Sequence, residues 1–230
     1  RIPLVQTNKK KYFYIMKNNW LIEKEKIIGD NLCLQFFDDV PEEILNFLKQ
    51  TDIKKDENEY NSHLAGHIKQ EFEYKNWPDI LEKYLIYKIE NNSVLKNHSS
   101  KVNILDKNLP YYLEKLWCNF QKKYEFNPFH FHSGIFSFIF FLKIPYEYDT
   151  EMNYFPPCSS SNRGEQNANS KLCFFGLDHY GKIKEYILSV DKSFENKMII
   201  FPAELHHLVY PFYTSDDYRI TVSGNIKLRT

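Results

Sequence analysis

This sequence predicts a mainly β fold carrying N-terminal helices, α+β in class, and two observations predict it. Beyond about Leu113, short apolar segments alternate with turn signals, the pattern of antiparallel strands. Before that point, prolines and acids open stretches whose apolar residues recur at helical spacing. The composition agrees: 17% of residues are aromatic, with 19 Phe and 17 Tyr against only 7 Gly, which favours packed strands over flexible linkers.

Taken in order, Leu32 to Phe37 is a short apolar run closed by Asp38 and Asp39. A helix is predicted from Pro41 to Lys49, with proline at its start, Glu42 and Glu43 in the first turn, and an apolar stripe at Ile44, Leu45, Phe47 and Leu48. A second helix runs from about Pro78 through Tyr87, its face made by Ile80, Leu81, Tyr84, Leu85 and Tyr87, and a third is expected to begin near Pro110. Strands are predicted at Leu116–Gln121, Tyr124–His132, Ile135–Ile144, Leu172–Asp178, Ile183–Val190, Met198–Phe201, His207–Phe212 and Arg219–Leu228. Eight such strands point to a β-sandwich or jelly roll with the helices packed on one sheet as a buttress. Ile135 to Leu142 is apolar on both alternate faces, so that strand is expected in the middle of a sheet. Pro156 to Ser170, rich in Ser, Asn and Arg-Gly, reads as a surface loop, a lid or a plain insertion.

A chain of 230 residues can bury a sizeable core, and a single domain is expected over 1–230. Residues 1–113 form a mixed helical and strand support, and 114–230 form the core. Thirty basic residues cancel thirty acidic ones, so no overall field recruits nucleic acid or an anionic membrane. Cys33, Cys118, Cys158 and Cys173 show no CxxC pairing, which predicts reduced thiols and a cytoplasmic protein. Arg1 to Lys11 carries no secretory pattern, and no segment approaches the roughly 20 apolar residues of a spanning helix.

The chemistry gathers around Asn127-Pro128-Phe129-His130-Phe131-His132-Ser133-Gly134. Imidazoles at i and i+2 face the same side of a strand and can reach one ion. In an apolar strand, two buried imidazoles also need a polar partner to offset their desolvation. A third imidazole from a distant strand closes such a site, and the candidates are His206 and His207, between which alternation alone does not choose. His63, His67, His98 and His179 stand alone and read as structural.

Three segments, Trp117-Cys118-Asn119-Phe120-Gln121, Phe126-Asn127-Pro128-Phe129-His130-Phe131-His132, and Phe201-Pro202-x-x-Leu205-x-His207-x-Val209-x-Pro211, resemble the iron(II)/2-oxoglutarate dioxygenase superfamily, most closely its phage and marine-microbial branch. The resemblance spans about Asn61 to Leu228, with Asn61 to Ile68 a weaker outlying match. It implies a double-stranded β-helix, jelly-roll or cupin-like, with His130, His132 and His207 as metal ligands. It also implies that Arg219 binds the distal carboxylate of 2-oxoglutarate, assisted by the hydroxyl of Thr221. Ser137, Asn225, Asn127, Phe129, Phe131, Phe140 and Tyr210 are further candidates for the cofactor pocket. In the wider superfamily the second ligand is commonly a carboxylate, whereas position 132 is histidine; Glu204 or Asp178 could supply a carboxylate from another strand, or a halide could replace it at His132-Ser133-Gly134. The implied activity is a hydroxylase using Fe(II), 2-oxoglutarate and O2 on a protein side chain or small metabolite. The alternatives are a three-histidine dioxygenase of cupin type without 2-oxoglutarate, where Arg219 binds a substrate carboxylate, and a non-catalytic jelly-roll module.

Overall fold

Strand pairing divides the chain into two antiparallel sheets. The computed structural model describes residues 32–50, 53–54, 58–102, 108–155, 167–177 and 180–229. The strands are β1 (Gln35–Phe37), β2 (Glu71–Glu73), β3 (Tyr111–Gln121), β4 (Asn127–His130), β5 (Phe136–Lys143), β6 (Leu172–Leu177), β7 (Ile183–Leu188), β8 (Met198–Pro202), β9 (His207–Val209) and β10 (Arg219–Leu228). The larger sheet has the order β1-β8-β5-β10-β3-β2 and the smaller β4-β9-β6-β7. Helices α1 (Glu42–Leu48), α2 (Asp79–Asn91), α3 (Ser93–Lys101) and α4 (Tyr148–Met152) accompany them among the described residues.

The double-sided apolar pattern of β5 has its physical reason in two cores. Phe136, Phe138 and Phe140 enter a core shared with Ile44 and Leu48 of α1, Leu81, Leu85 and Ile89 of α2, and Leu95 of α3. Ile139 and Phe141, on the alternate face, enter a core between the sheets with Leu172, Phe174 and Leu188 of the smaller one. The helices thus buttress the outer face of the larger sheet, and the space between the sheets is left for the site. β5 lies between β8 and β10, in the middle of its sheet.

The helix expected near Pro110 is absent; Tyr111 instead begins β3, which pairs with β10 along its whole length, Leu228 opposite Tyr111 and Arg219 opposite Gln121. The run Tyr111-Tyr112-Leu113 is rich in aromatics, and an available strand partner outweighs the proline start. The chain also forms α3, whose N-cap Asn92 accepts hydrogen bonds from the Val94 and Leu95 amides, and the short strand β2. Most of the 156–170 loop lies outside the described residues, as do Asp178, His179, Cys158 and the N-terminal segment. Among the described residues no helix is long and apolar enough to cross a membrane.

Candidate metal centre and its cavity

Register, more than local sequence, assembles the histidines. β4 and β9 pair so that His130 stands directly opposite His207. His132 lies just past the end of β4, where its amide donates to the Ala203 carbonyl at 2.8 Å and fixes the turn. One nitrogen of each ring then falls within 4.8 Å of the others, and this is the group of potential metal ligands found among the described residues.

The rings are prepared as ligands. Nδ1 of His207 donates to the Leu205 carbonyl at 2.9 Å and Nδ1 of His130 to the Pro128 carbonyl at 2.6 Å. Those bonds place each proton on Nδ1 and leave Nε2 as a bare lone pair, the arrangement found when the far nitrogen of a metal-bound histidine is held by an outer partner. Nε2 of His132 faces Nε2 of His207 at 3.2 Å. Burial pushes all three pKa values down, His132 to about 3 with help from His130, and His207 well below the usual range. Neutral imidazoles around one point are a donor set for a divalent transition metal, and three of them leave coordination positions open.

No carboxylate joins the three histidines among the described residues. Glu204 is exposed and lies outside the cavity, so it does not replace the missing acid; Asp178 falls outside the described residues. His206 turns away: its ring stacks on Phe129 at 4.8 Å and lies 4.9 Å from Phe131, outside the cluster.

The histidines open onto a cavity of about 220 Å³ between the sheets. Its floor is the inner face of the larger sheet, with Trp117, Asn119 and Gln121 of β3 and Arg219, Thr221 and Ser223 of β10. The outlying segment around Asn61 to Ile68 forms one wall, so His63, which reads as structural in the sequence, lines the cavity together with Gly66. Asn127 and Phe131 line it also, and Phe131 stays 58% exposed at the mouth. Ser137 and Asn225 do not line it; they are hydrogen-bonded to each other at 3.0 Å between β5 and β10. Phe140 is in the helix-side core, and Tyr210 takes part through its carbonyl.

Arg219 is 3% exposed. Nε and Nη2 donate to Gln121 Oε1 at 3.0 and 2.6 Å, Nη1 to the Tyr146 hydroxyl at 2.9 Å and the Ser170 carbonyl at 3.0 Å, and Nη2 to the Tyr210 carbonyl at 3.2 Å. Every acceptor is neutral, and no ion pair to Arg219 exists among the described residues. Thr221 Oγ1 accepts from Asn119 Nδ2 at 3.2 Å. Asn119, Gln121, Tyr146 and Glu71 carry no role in the sequence reading. The alternation of Trp117, Asn119 and Gln121 in an otherwise apolar strand is the one signal that could have found the first two; Glu71 has none.

No protein-family model matches the chain, and no curated protein matches it. Among solved structures it is similar to an oxidoreductase of the 2OG-Fe(II) oxygenase family from Burkholderia pseudomallei, at 9% identity and a TM-score of 0.36 over 63% of this chain and 56% of that one. It is also similar to a prolyl-4-hydroxylase from Pseudomonas putida, at 11% identity and a TM-score of 0.46 over 85% of this chain and 92% of that one. The chain therefore spans little more than half the length of the first of these, and likenesses at this level assign neither activity nor site residues.

Proposed function

We propose that the protein is an iron(II)- and 2-oxoglutarate-dependent oxygenase, a hydroxylase in its simplest form, with His130, His132 and His207 holding the metal. One observation carries the reading: three neutral imidazoles, His207 buried and His130 and His132 half-buried, gather their ring nitrogens at one point, in a cavity whose floor holds a buried arginine with no anionic partner among the described residues. The strand order supports it as well. Counted from β3, the first, third, sixth and eighth strands share one sheet and the second, fourth, fifth and seventh the other, as a double-stranded β-helix requires. In this reading residues 114–230 are the catalytic core and the N-terminal part its support.

When bound, iron(II) would supply the oxidative decarboxylation of 2-oxoglutarate by O2 to succinate and CO2, coupled to oxidation of a second substrate by the other oxygen atom. The chain's own contribution is placement. The Leu205 and Pro128 carbonyls keep the Nδ1 protons of His207 and His130, so the ligand nitrogens need lose no proton before binding. Arg219 offers a planar fork matched to a carboxylate. Its five N–H groups are already engaged, so a bound carboxylate displaces neutral acceptors and gives the buried charge the counter-ion it lacks.

The third histidine, where the superfamily commonly has a carboxylate, favours one second reading, a cupin-type dioxygenase without 2-oxoglutarate. Anaerobic iron titration of the full chain, followed by addition of 2-oxoglutarate and O2 with succinate as the readout, tests both. One iron per chain is expected, lost in His130→Ala, His132→Ala and His207→Ala, and succinate is expected even without a second substrate. Iron binding without 2-oxoglutarate consumption would move the assignment to the cupin-type enzyme. Unchanged iron stoichiometry in all three variants would end both readings.

A further inference from the structure

The cavity floor is polar at two ends, with opposite signs. Across the larger sheet Glu71, Asn119, Thr221 and Phe141 stand opposite one another on β2, β3, β10 and β5, and the neighbouring row pairs Gln121 with Arg219. Arg219 therefore marks one end of the floor and Glu71 the edge two strands away.

Glu71 is 1% exposed, yet its carboxylate accepts no hydrogen bond and meets no cation among the described residues, and Oε2 is buried without a partner. Asn119, 6% exposed, likewise holds Oδ1 buried and unpartnered, as does Asn127. All three residues line the cavity. A Cβ at Gly66 would lie 2.4 Å from Asn127 Oδ1 and 2.9 Å from Glu71 Oε1, so the absent side chain is what leaves these two oxygens room beside one another. Buried polar atoms in a folded protein are ordinarily paired. The buried atoms left unpartnered at this end of the cavity are all acceptors, one of them a carboxylate oxygen, and they ask for a donor that carries positive charge. Burial first, then the nearby Glu125, holds the Glu71 carboxyl up at about 7, the direction expected while no such partner is present.

We propose that Glu71, with Asn119 and Asn127, is the recognition site for a nitrogen cation, an ammonium or guanidinium group, on the molecule that enters this cavity. Its role as the substrate-selecting site rests on the oxygenase reading; the binding itself does not. A substrate held there by its cation would be oriented along the floor, its other end toward the histidines.

The test titrates metal-free full-length protein calorimetrically with n-butylammonium and n-butylguanidinium, against neutral pentanamide. At least one cation is expected to bind about tenfold or more tightly than pentanamide, since a charge-assisted contact in a dry site is at stake. Glu71→Gln, equal in size, should erase that preference, and Glu71→Asp should keep part of it. Gly66→Ala, which crowds both oxygens, should weaken the cation as well, and so carries the test if Glu71→Gln misfolds. Equal affinity for cation and amide in the wild type, or an undiminished preference in Glu71→Gln, would overturn the assignment. Iron titration of the same samples keeps the two readings apart: Glu71→Gln should bind iron as the wild type does. A cation preference without iron binding sinks the oxygenase reading alone, and iron binding without a cation preference sinks only this one.

Discussion

All five N–H groups of Arg219 meet oxygens, and none of those oxygens belongs to an acid. The residue is at once a structural tie between β10, Gln121 and the loop at Ser170 and a buried cation of the cavity floor, so its replacement should register twice. Arg219→Lys cannot reproduce the fork and leaves acceptors unpaired, at about 1–3 kcal/mol for each buried group left without a partner. A thermal midpoint lower by several degrees is expected, on the scale of about 2–4 °C per kcal/mol for a domain of this size. Measured well below that midpoint, 2-oxoglutarate should bind Arg219→Ala about 30-fold or more weakly, with lysine rescuing only in part. Equal affinities in wild type, alanine and lysine proteins would remove Arg219 from cosubstrate binding. His206→Ala, by contrast, should leave iron affinity within about twofold, because its ring stacks on Phe129 outside the cluster; loss of the metal there, with His207→Ala retaining it, would mean the ligand has been assigned to the wrong neighbour. His130 and His132 were legible because i, i+2 spacing is a local signal, whereas alternation left His206 and His207 open and the superfamily resemblance pointed to His207. Gln121 and Tyr146 were not, since what makes them matter is a guanidinium 98 and 73 residues away.

At the scale of elements, periodicity located all eight strands from β3 onward and two of the helices, and it failed where pairing decides. Tyr111 to Leu113 follows a proline and reads as a helix start, but β10 offers it a partner across the whole strand. β2 has three residues, too few for the Glu71-Phe72-Glu73 alternation to stand out; it exists because Glu71 to Glu73 pairs with Asn119 to Trp117. The same three-strand contact makes Gly224 exacting. A Cβ there would lie 2.5 Å from the Lys115 carbonyl on β3 and 2.4 Å from Phe138 Cζ on β5, so neither neighbour can give way without moving backbone or a core ring. Gly224→Ala should destabilise the protein by about 1–3 kcal/mol, the usual penalty of overpacking, read as a lower denaturation midpoint with an unchanged denaturant slope. A midpoint equal to that of the wild type would show that β3 and β10 are not held at this spacing.

Over the whole molecule, two sets of desolvated groups work against stability in opposite pH ranges. The three histidines have folded pKa values below 6.5, so as pH falls below 6.5 the unfolded chain takes up protons first and the metal-free fold loses stability. Glu71 acts in the other direction. Its carboxyl is at about 7 in the fold against 4.5 unperturbed, so as pH rises from 4.5 the unfolded chain ionises first, and stability falls until about pH 7 and then levels. That displacement corresponds to at most about 3 kcal/mol. Glu71→Gln has no proton to lose, so it should match the wild type near pH 4.5 and exceed it increasingly up to pH 7, by up to about 3 kcal/mol, in metal-free protein without added amines. A packing residue would not behave this way: replacing it by its nearest isostere costs stability or leaves it unchanged, and does so at every pH. Denaturant unfolding of the two proteins at pH 4.5, 6 and 7.5 makes the comparison, and parallel pH profiles would mean that Glu71 is satisfied by the fold and is not a carboxylate left open for a ligand.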